Sequence, residues 1–92
     1  MGQFVHITHW LAISYYKNKK ESLRWGWTLS RKVGNAVTRN RLKRWGRESV
    51  RRFETNELDI NFIFKVKKSG FYKDLTRGDF DDAIQKAFQK ID

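Results

Sequence analysis

The 92-residue chain contains no cysteine and no proline. Without cysteine there is no disulfide scaffold, no cysteine-ligated zinc or iron–sulfur site and no thiol nucleophile. Without proline there is no proline-rich linker. No apolar run approaches the roughly 18 residues of a membrane span, and no signal-peptide pattern opens the sequence, so we expect a cytoplasmic protein. The length fits one domain, residues 1–92, and an aromatic fraction of 15% argues against a fully disordered chain.

Acidic residues are scarce in the part of the chain where basic residues are dense. Between residues 31 and 52 the only acid is Glu48, and nine lysines and arginines accompany it, which gives a local net charge of +8. The whole chain carries +10, so the remaining residues contribute only +2. A solvated helix face usually mixes charges of both signs, because like charges one turn apart repel. The pattern therefore favours a surface that binds a polyanion, and nucleic acid is the commonest such partner.

Hydrophobic periodicity predicts three strands and two helices in the order β-β-α-β-α. The predicted strands are residues 10–16, extended towards the N-terminus by residues 4–7, residues 24–30 and residues 58–66. The predicted helices are residues 36–53 and residues 80–91, and residues 76–79 form the entry to the second helix. The predicted connections are a polar turn at 17–22, a loop at 31–35, a polar connection at 54–57 and a loop at 67–73. This order predicts an α+β fold, a two-layer α/β sandwich with a small mixed sheet and both helices on one face. The other face of the sheet is then open to a ligand.

The long predicted helix has two different faces. Its apolar stripe consists of Leu42, Trp45, Ser49, Val50 and Phe53, and its polar face of Asn40, Lys43, Arg44, Arg47 and Arg51. Gly46 lies inside this helix and costs about 1 kcal/mol relative to alanine; close packing on the sheet would explain it, but the sequence does not decide this. Trp25, Trp27 and Trp45 are predicted to pack in the core, and Trp10 is the more open tryptophan.

Catalytic motifs are not evident, and we predict neither a catalytic residue nor a metal bound directly by the protein. His6 and His9 are predicted to point to opposite faces of an extended segment, which makes a poor shared metal site. Asp79, Asp81 and Asp82 cluster where the start of a helix favours acidic residues. The chain contains no phosphate-binding loop and no zinc-protease or serine-hydrolase motif. A face made almost wholly of lysine and arginine reads a phosphate backbone rather than base edges, which favours structured RNA.

The segment from Leu29 to Arg44 resembles the signature of the bacterial ribonuclease P protein family, whose core is Arg39-Asn40-Arg41 in this sequence. About sixteen contiguous positions carry the resemblance, with one conservative change of lysine to arginine at Arg31. The resemblance implies an α/β sandwich with a left-handed crossover through the signature helix. It also implies a small protein bound to a large catalytic RNA, which together remove the 5′ leader of precursor tRNA. In that family the RNA performs the chemistry with Mg²⁺, so any Mg²⁺ would act through the RNA subunit.

Carried over by position, the resemblance assigns two groups of binding residues. The residues expected to contact the catalytic RNA are Ser30, Arg31, Lys32, Asn35, Arg39, Asn40, Arg41, Lys43, Arg44, Arg47 and Arg51. The candidates for binding the leader in a cleft on the open sheet face are Trp10, Leu11, Ser14, Thr28 and Lys65. Family members usually begin with a short helix before the first strand, whereas strand-like sequence follows Phe4 almost directly here. We therefore expect uncovered apolar sheet surface and self-association.

Two other functions remain open from the residues alone. A structural RNA-binding protein, such as a ribosomal protein or an RNA chaperone, shares the charge but does not require the signature segment. A metal-dependent nuclease that acts without RNA needs a carboxylate cluster on one surface, which the sequence does not show.

Overall fold

A mixed four-stranded sheet forms one layer of the computed structural model, which describes residues 2–18, 23–53 and 58–91. The strands are β1 (Gln3–His6), β2 (Leu11–Lys17), β3 (Leu23–Thr28) and β4 (Leu58–Phe64). Their order across the sheet is β1-β2-β4-β3. Strand β2 runs antiparallel to β1 and to β4, whereas β3 and β4 are parallel. The predicted mixed sheet is confirmed, with one strand more than expected.

The additional strand is β1, and the prediction that residues 4–7 extend the first strand is wrong. The chain reverses at residues 7–10, so Gln3 pairs with Tyr15 and His6 with Ala12. The Thr8 hydroxyl closes the turn, because it accepts hydrogen bonds from the backbone N–H groups of Trp10 (3.2 Å) and Leu11 (3.0 Å). Such local side-chain bonds to the backbone favour turns over continued strands.

Helix α1 (Ala36–Val50) connects the parallel strands β3 and β4. Asn35 caps its start, since the Oδ1 of Asn35 accepts a hydrogen bond from the backbone N–H of Thr38 at 2.9 Å. The helix ends at Val50, three residues before the predicted end at Phe53. A single 3₁₀ turn, Arg31–Val33, precedes it inside the predicted loop. The crossover from β3 through α1 to β4 is therefore present, and its left-handedness stays a prediction of the resemblance.

Helices α2 (Phe71–Asp74) and α3 (Arg77–Gln89) follow β4. The short helix α2 lies inside the segment predicted to be a loop. Thr76 caps α3, because its hydroxyl accepts a hydrogen bond from the backbone N–H of Asp79 at 3.1 Å. The last helix thus begins at Arg77, three residues before the predicted start, and Asp79 lies in its first turn as expected.

The core lies between one face of the sheet and helices α1 and α3. Along β4 the side chains alternate, with Leu58, Ile60, Phe62 and Phe64 buried and the residues between them half-buried. Phe80 of α3 stacks on Phe64 with ring centres 6.2 Å apart. Gly46 of α1 faces Trp27 of β3, where an added Cβ would lie only 2.1 Å from the indole ring. Both helices therefore cover the same face of the sheet, as predicted.

Two predictions about the core are wrong. Trp10 is buried at 4% exposure, since its ring packs against Phe64 and Phe80. Trp25 is 39% exposed because β3 is an edge strand of the sheet. The predicted last residue of the strand, Val66, lies beyond the end of β4 at Phe64 and is 58% exposed. Trp27 and Trp45 are partly buried against the core, as expected.

Two predicted connections lie largely or wholly outside the described residues. These are the later part of the turn at 17–22 and the connection at 54–57. Among the residues that the structure describes, no helix has the length and apolar character needed to cross a membrane.

Candidate nucleic-acid interface

Helix α1 presents a basic face to solvent. Leu42, Ser49 and Val50 are buried on the side that meets the core. The residues exposed on the other side are Asn40, Lys43, Arg44, Arg47 and Arg51; we call this group the basic face. Side chains three and four residues apart are neighbours on a helix surface. The helical spacing therefore brings four cations together, as the sequence predicted.

The 3₁₀ turn before α1 continues this basic surface towards the sheet. Ser30, Arg31 and Lys32 are exposed, whereas Val33 is buried at 7% and fixes the turn to the core. Asn35 is exposed as well, but its side-chain oxygen is occupied by the cap of α1. The turn follows β3 directly, so it connects the open end of that strand with the basic helix.

Arg39 and Arg41 differ from the other predicted RNA-binding residues, because both are half-buried. Their Nε atoms are fully buried. The Nη2 atom of Arg41 donates hydrogen bonds to the carbonyl oxygens of Tyr72 (2.6 Å) and Lys73 (3.1 Å). The guanidinium of Arg41 also lies over the ring of Trp45, 5.0 Å from its centre. Arg41 therefore makes hydrogen bonds and a ring contact within the protein.

An ionic network joins α1 to α3 beside the basic face. Arg77 lies 2.9 Å from Glu48 and 3.0 Å from Asp81. The Ser49 hydroxyl donates to Asp81, and Arg52 lies 3.8 Å from the same carboxylate. Burial alone would raise the pKa of Asp81, but the hydrogen bonds from Ser49 and Arg77 and the nearby positive charges hold it below its ordinary value. The network links α1 and the residues that follow it to α3.

The open face of the sheet carries three of the predicted leader-binding residues. Ser14 of β2 and Thr28 of β3 lie on this face, on either side of Asn61 of β4. The Asn61 amide donates to the Thr28 hydroxyl at 2.7 Å. Lys65 lies at the end of β4, where its Nζ is 2.6 Å from the Nδ1 of His6. The structure thus brings Ser14, Thr28 and Lys65 to one surface.

A shallow groove of about 280 Å³ lies on this face. Its lining residues are Ser14, Tyr16, Arg24, Trp25, Gly26, Asp59, Ile60 and Asn61. Arg24 lies 3.9 Å from Asp59, and the hydrogen bond between Tyr16 and Asp59 raises the pKa of the Tyr16 hydroxyl above its ordinary value. The groove therefore presents hydroxyl, amide and guanidinium groups beside the apolar side chains of Trp25 and Ile60.

Trp10 and Leu11 do not belong to this face, and their assignment to a leader cleft is wrong. Leu11 is completely buried and Trp10 is 4% exposed. Strand alternation places Leu11 on the helix-covered face, opposite to Ser14. A surface ligand cannot contact either side chain.

Tyr16, Arg24 and Asn61 are groove residues that the sequence-based candidates omit. The two-residue period of strands gives the missing signal, because Tyr16 follows Ser14 on the same face of β2. In the same way, Asn61 shares its face of β4 with Lys65. The pairing of β3 beside β4, which the sequence does not reveal, brings Arg24 to them.

The histidines occupy separate surroundings, but a turn lies between them, and the predicted single extended segment is wrong. His6 contacts Lys65, whereas His9 packs edge-on against Phe71 with ring centres 5.4 Å apart. In the parts of the chain that the structure describes, no three histidines or carboxylates are grouped to hold a metal ion.

The fold and the basic face define a class, that of small α+β proteins whose helix presents a surface for a polyanion. The family model for ribonuclease P matches residues 3–92. The protein component of ribonuclease P from Desulfosudis oleivorans is 46% identical over 69 residues, which cover 72% of this chain and 56% of that protein. The corresponding protein from Clostridioides difficile is 36% identical over 87 residues, covering 90% of this chain and 73% of its own length. The chain belongs to the ribonuclease P protein family.

Solved structures agree with this membership. The ribonuclease P protein from Thermotoga maritima, in complex with 1-(4-fluorophenyl)-2-thiourea, superposes with a TM-score of 0.88 at 26% identity, covering 99% of this chain and 87% of that one. The ribonuclease P protein from Staphylococcus aureus gives a TM-score of 0.78 at 26% identity, covering 96% and 79%. The family resemblance found at Leu29–Arg44 is thereby confirmed, and so is the predicted α+β fold.

Proposed function

We propose that this chain is the protein subunit of a bacterial ribonuclease P, which removes the 5′ leader of precursor tRNA in the cytoplasm. The observation that carries the proposal is the basic face on α1, within the segment matched by the ribonuclease P family. In this proposal the catalytic RNA performs the cleavage. The protein is an accessory subunit that binds both the RNA and the precursor.

The basic face binds the phosphate backbone of the catalytic RNA. Arginine forms paired hydrogen bonds to phosphate oxygens, and Arg44 and Arg47 are exposed for such contacts. Each neutralised phosphate releases counterions, so binding weakens steeply as salt rises. Arg31 and Lys32, on the preceding turn, extend the contact towards the sheet.

The open sheet face binds the leader as an extended single strand. Ser14, Thr28 and Asn61 supply hydroxyl and amide groups that bond to phosphate and ribose oxygens without reading base identity. Arg24 and Lys65 provide positive charge at two places on the same face. A ligand with a 5′ leader therefore gains contacts here that mature tRNA lacks.

Mg²⁺ is held by the RNA in this proposal, and the protein acts on it only by positioning the substrate. Asp79 follows the helix cap at Thr76, and Asp81 is bonded to Ser49 and Arg77. The Asp81 carboxylate is thus engaged in the protein's own structure, and the backbone N–H of Asp79 is engaged in the helix cap.

Reconstitution tests the proposal. The protein is added to a bacterial ribonuclease P RNA and a precursor tRNA at low Mg²⁺, where we expect faster 5′ cleavage than with RNA alone. Omitting the RNA is the control, and no cleavage is expected there. Cleavage by the protein alone would overturn the accessory role. RNA binding without faster cleavage would instead favour a structural RNA-binding protein.

A charge-matched pair of variants tests the assigned surface. Arg44→Gln with Arg47→Gln removes two positive charges from the basic face, and Lys86→Gln with Lys90→Gln removes two exposed charges from α3 and its end. We expect the first pair to weaken RNA binding and to lower the slope of log affinity against log salt by about one unit per lost phosphate contact. The second pair should change the slope little. Equal effects of both pairs would contradict a localised interface.

Precursors with trimmed leaders test the sheet face. Shortening the leader should reduce the affinity of the complex, and Asn61→Ala should reduce affinity for the long leader only. A loss of equal size with mature tRNA would contradict leader binding at this face.

Self-association is a separate prediction. Phe4 and Tyr16, on β1 and β2, are 58% and 49% exposed on the open side of the sheet, where a second copy would find apolar surface. A monomer mass by light scattering at high concentration would contradict it.

A further inference from the structure

Arg41 lies in the centre of the family signature, yet its side chain is turned towards the protein. Its Nη2 donates to the carbonyl oxygens of Tyr72 and Lys73, at 2.6 and 3.1 Å. Both carbonyls belong to the short helix α2, and that of Tyr72 also accepts the backbone N–H of Leu75 at 3.4 Å. One arginine of α1 thus bonds to two backbone groups about thirty residues away in sequence.

The same guanidinium makes a further contact within the protein. It lies 5.0 Å from the centre of the Trp45 ring, and its Nε is fully buried. Trp45 in turn packs edge-on against Phe80 of the core, with ring centres 5.6 Å apart. The Nη2 atom and one face of the guanidinium are therefore already in use within the protein.

The segment that Arg41 holds is also fixed from the sheet side. Tyr72 is buried at 1% exposure, and its hydroxyl donates to the carbonyl oxygens of Trp10 (3.1 Å) and Lys65. Burial raises the pKa of this hydroxyl, which keeps it protonated as a donor. Helix α2 is therefore clamped between the tyrosine bonds to the sheet and the arginine bonds to α1.

Residues 67–74, which we call the lysine segment, add positive charge beside α1. Lys68 and Lys73 are exposed, and Lys67 lies over the ring of Phe71 at 5.7 Å. Asp74 is the only acid of this segment, so its net charge is +2. Because Arg41 bonds to the carbonyl of Lys73 itself, it fixes where this lysine stands relative to the basic face.

We propose that Arg41 is a positioning residue that clamps the lysine segment to α1, so that Lys68 and Lys73 join the RNA-binding surface. The clamp stands on the contacts within the chain, and the added RNA contacts rest on the proposed function. This replaces the expectation that Arg41 itself contacts the RNA. Lysine is a poor substitute in the clamp, because its shorter side chain carries no planar guanidinium that can lie over Trp45 while it bonds to the carbonyls.

Hydrogen exchange of the free protein tests the clamp without any RNA. The reporters are the amides of Asp74 and Leu75, which bond to the carbonyls of Gly70 and Tyr72. We expect Arg41→Lys and Arg41→Gln each to lower their protection about tenfold, comparable to the loss of one charged hydrogen bond. Arg44→Lys and Arg44→Gln, one turn further on, are the controls and should leave protection unchanged. Wild-type protection in Arg41→Lys would overturn the clamp.

RNA binding tests the lysine surface. Lys68→Gln with Lys73→Gln should weaken binding to the ribonuclease P RNA and lower its salt slope by about one unit for each lost phosphate contact. In an Arg41→Gln background the same pair should have less than half of that effect, because the lysines are no longer held in place. An unchanged salt slope for the lysine pair, or an equally large effect of the pair in the Arg41→Gln background, would contradict the proposal that Arg41 holds these lysines in the RNA-binding surface.

The comparison of Arg41→Lys with Arg44→Lys separates the clamp from a direct phosphate contact. We expect Arg41→Lys to bind RNA as weakly as Arg41→Gln, whereas Arg44→Lys should retain most of the affinity. Full affinity in Arg41→Lys would make Arg41 a phosphate contact and overturn the proposal. If the wild-type protein does not bind the RNA, the proposed function and the lysine surface both fail, and hydrogen exchange still decides the clamp.

Discussion

At Gly46 helix α1 packs directly against Trp27 of the sheet, and Gly46→Ala tests how this contact holds the basic helix. An added Cβ would lie 2.1 Å from Cη2 and 2.3 Å from Cζ2 of Trp27. Carbon atoms in contact are about 3.5–4.0 Å apart, so the indole ring must move by more than an ångström. Trp27 has little freedom inwards, since it stacks on Phe62 with ring centres 4.8 Å apart.

Two opposing effects set the expected change in stability. Alanine favours a helix over glycine by about 1 kcal/mol. Overpacking costs about 1–3 kcal/mol, and losing the stack on Phe62 costs about 0.5–1.5 kcal/mol more. We therefore expect Gly46→Ala to destabilise the protein by about 0.5–3.5 kcal/mol. For a domain of this size the melting temperature should fall by about 2–28 °C.

Gly78 of α3 offers a matched control in the same protein. The nearest atom to a Cβ at Gly78 is the Thr76 hydroxyl oxygen at 4.0 Å, so there is room for the methyl group. Gly78→Ala should therefore be neutral or stabilising by up to about 1 kcal/mol. Denaturant unfolding followed by tryptophan fluorescence measures both variants.

A second substitution identifies the cause. Trp27→Phe removes the ring atoms that the new methyl group would meet, so Gly46→Ala should cost much less in that background. Equal or greater stability of Gly46→Ala in the wild-type background would refute the reasoning. If Gly46→Ala loses as much stability in the Trp27→Phe background as in the wild type, the clash with Trp27 is not the cause.

Two further predictions concern the ends and the flank of α1. Asn35→Ala should lower the free energy of unfolding by about 1 kcal/mol because the cap of α1 is lost, whereas Asn35→Ser should retain most of it; denaturant titration measures both, and equal losses would contradict the cap. Asp81 has a lowered pKa in the folded protein, so its carboxylate stabilises the fold above the ordinary pKa of about 3.9 and this stability is lost as pH falls through the lowered value. Asp81→Asn should therefore be less stable than the wild type at neutral pH, and the difference should shrink below about pH 4. Asp82→Asn, at the exposed neighbour, is the control, and a difference independent of pH would contradict the role of Asp81.

Some features of the structure depend only on residues within one helix or strand, and these could be predicted from the sequence. The basic face of α1 was predictable because a helix repeats every 3.6 residues, which is a property of the segment alone. The alternation along β4 follows from the two-residue period in the same way. The cap at Asn35 also depends only on neighbours within one turn.

The period of an element does not say which of its faces becomes covered, or by what. Trp10 is buried because α3, seventy residues later, places Phe80 against it. Trp25 is exposed because β3 lies at an edge of the sheet. The sequence of residues 67–73 predicted only a loop and did not indicate that its backbone carbonyls accept hydrogen bonds from Arg41.

The sequence by itself therefore determined the family, the layers of the fold and the cations of the basic face. These features depend on residue type and on spacing within one element. Only the tertiary structure decided that β1 is a separate strand and that Trp10 and Leu11 are inaccessible. It also decided that Gly46 makes room for Trp27 and that Arg41 is turned inwards. Each of these depends on contacts between segments far apart in the chain, where burial and hydrogen bonding outweigh local preference.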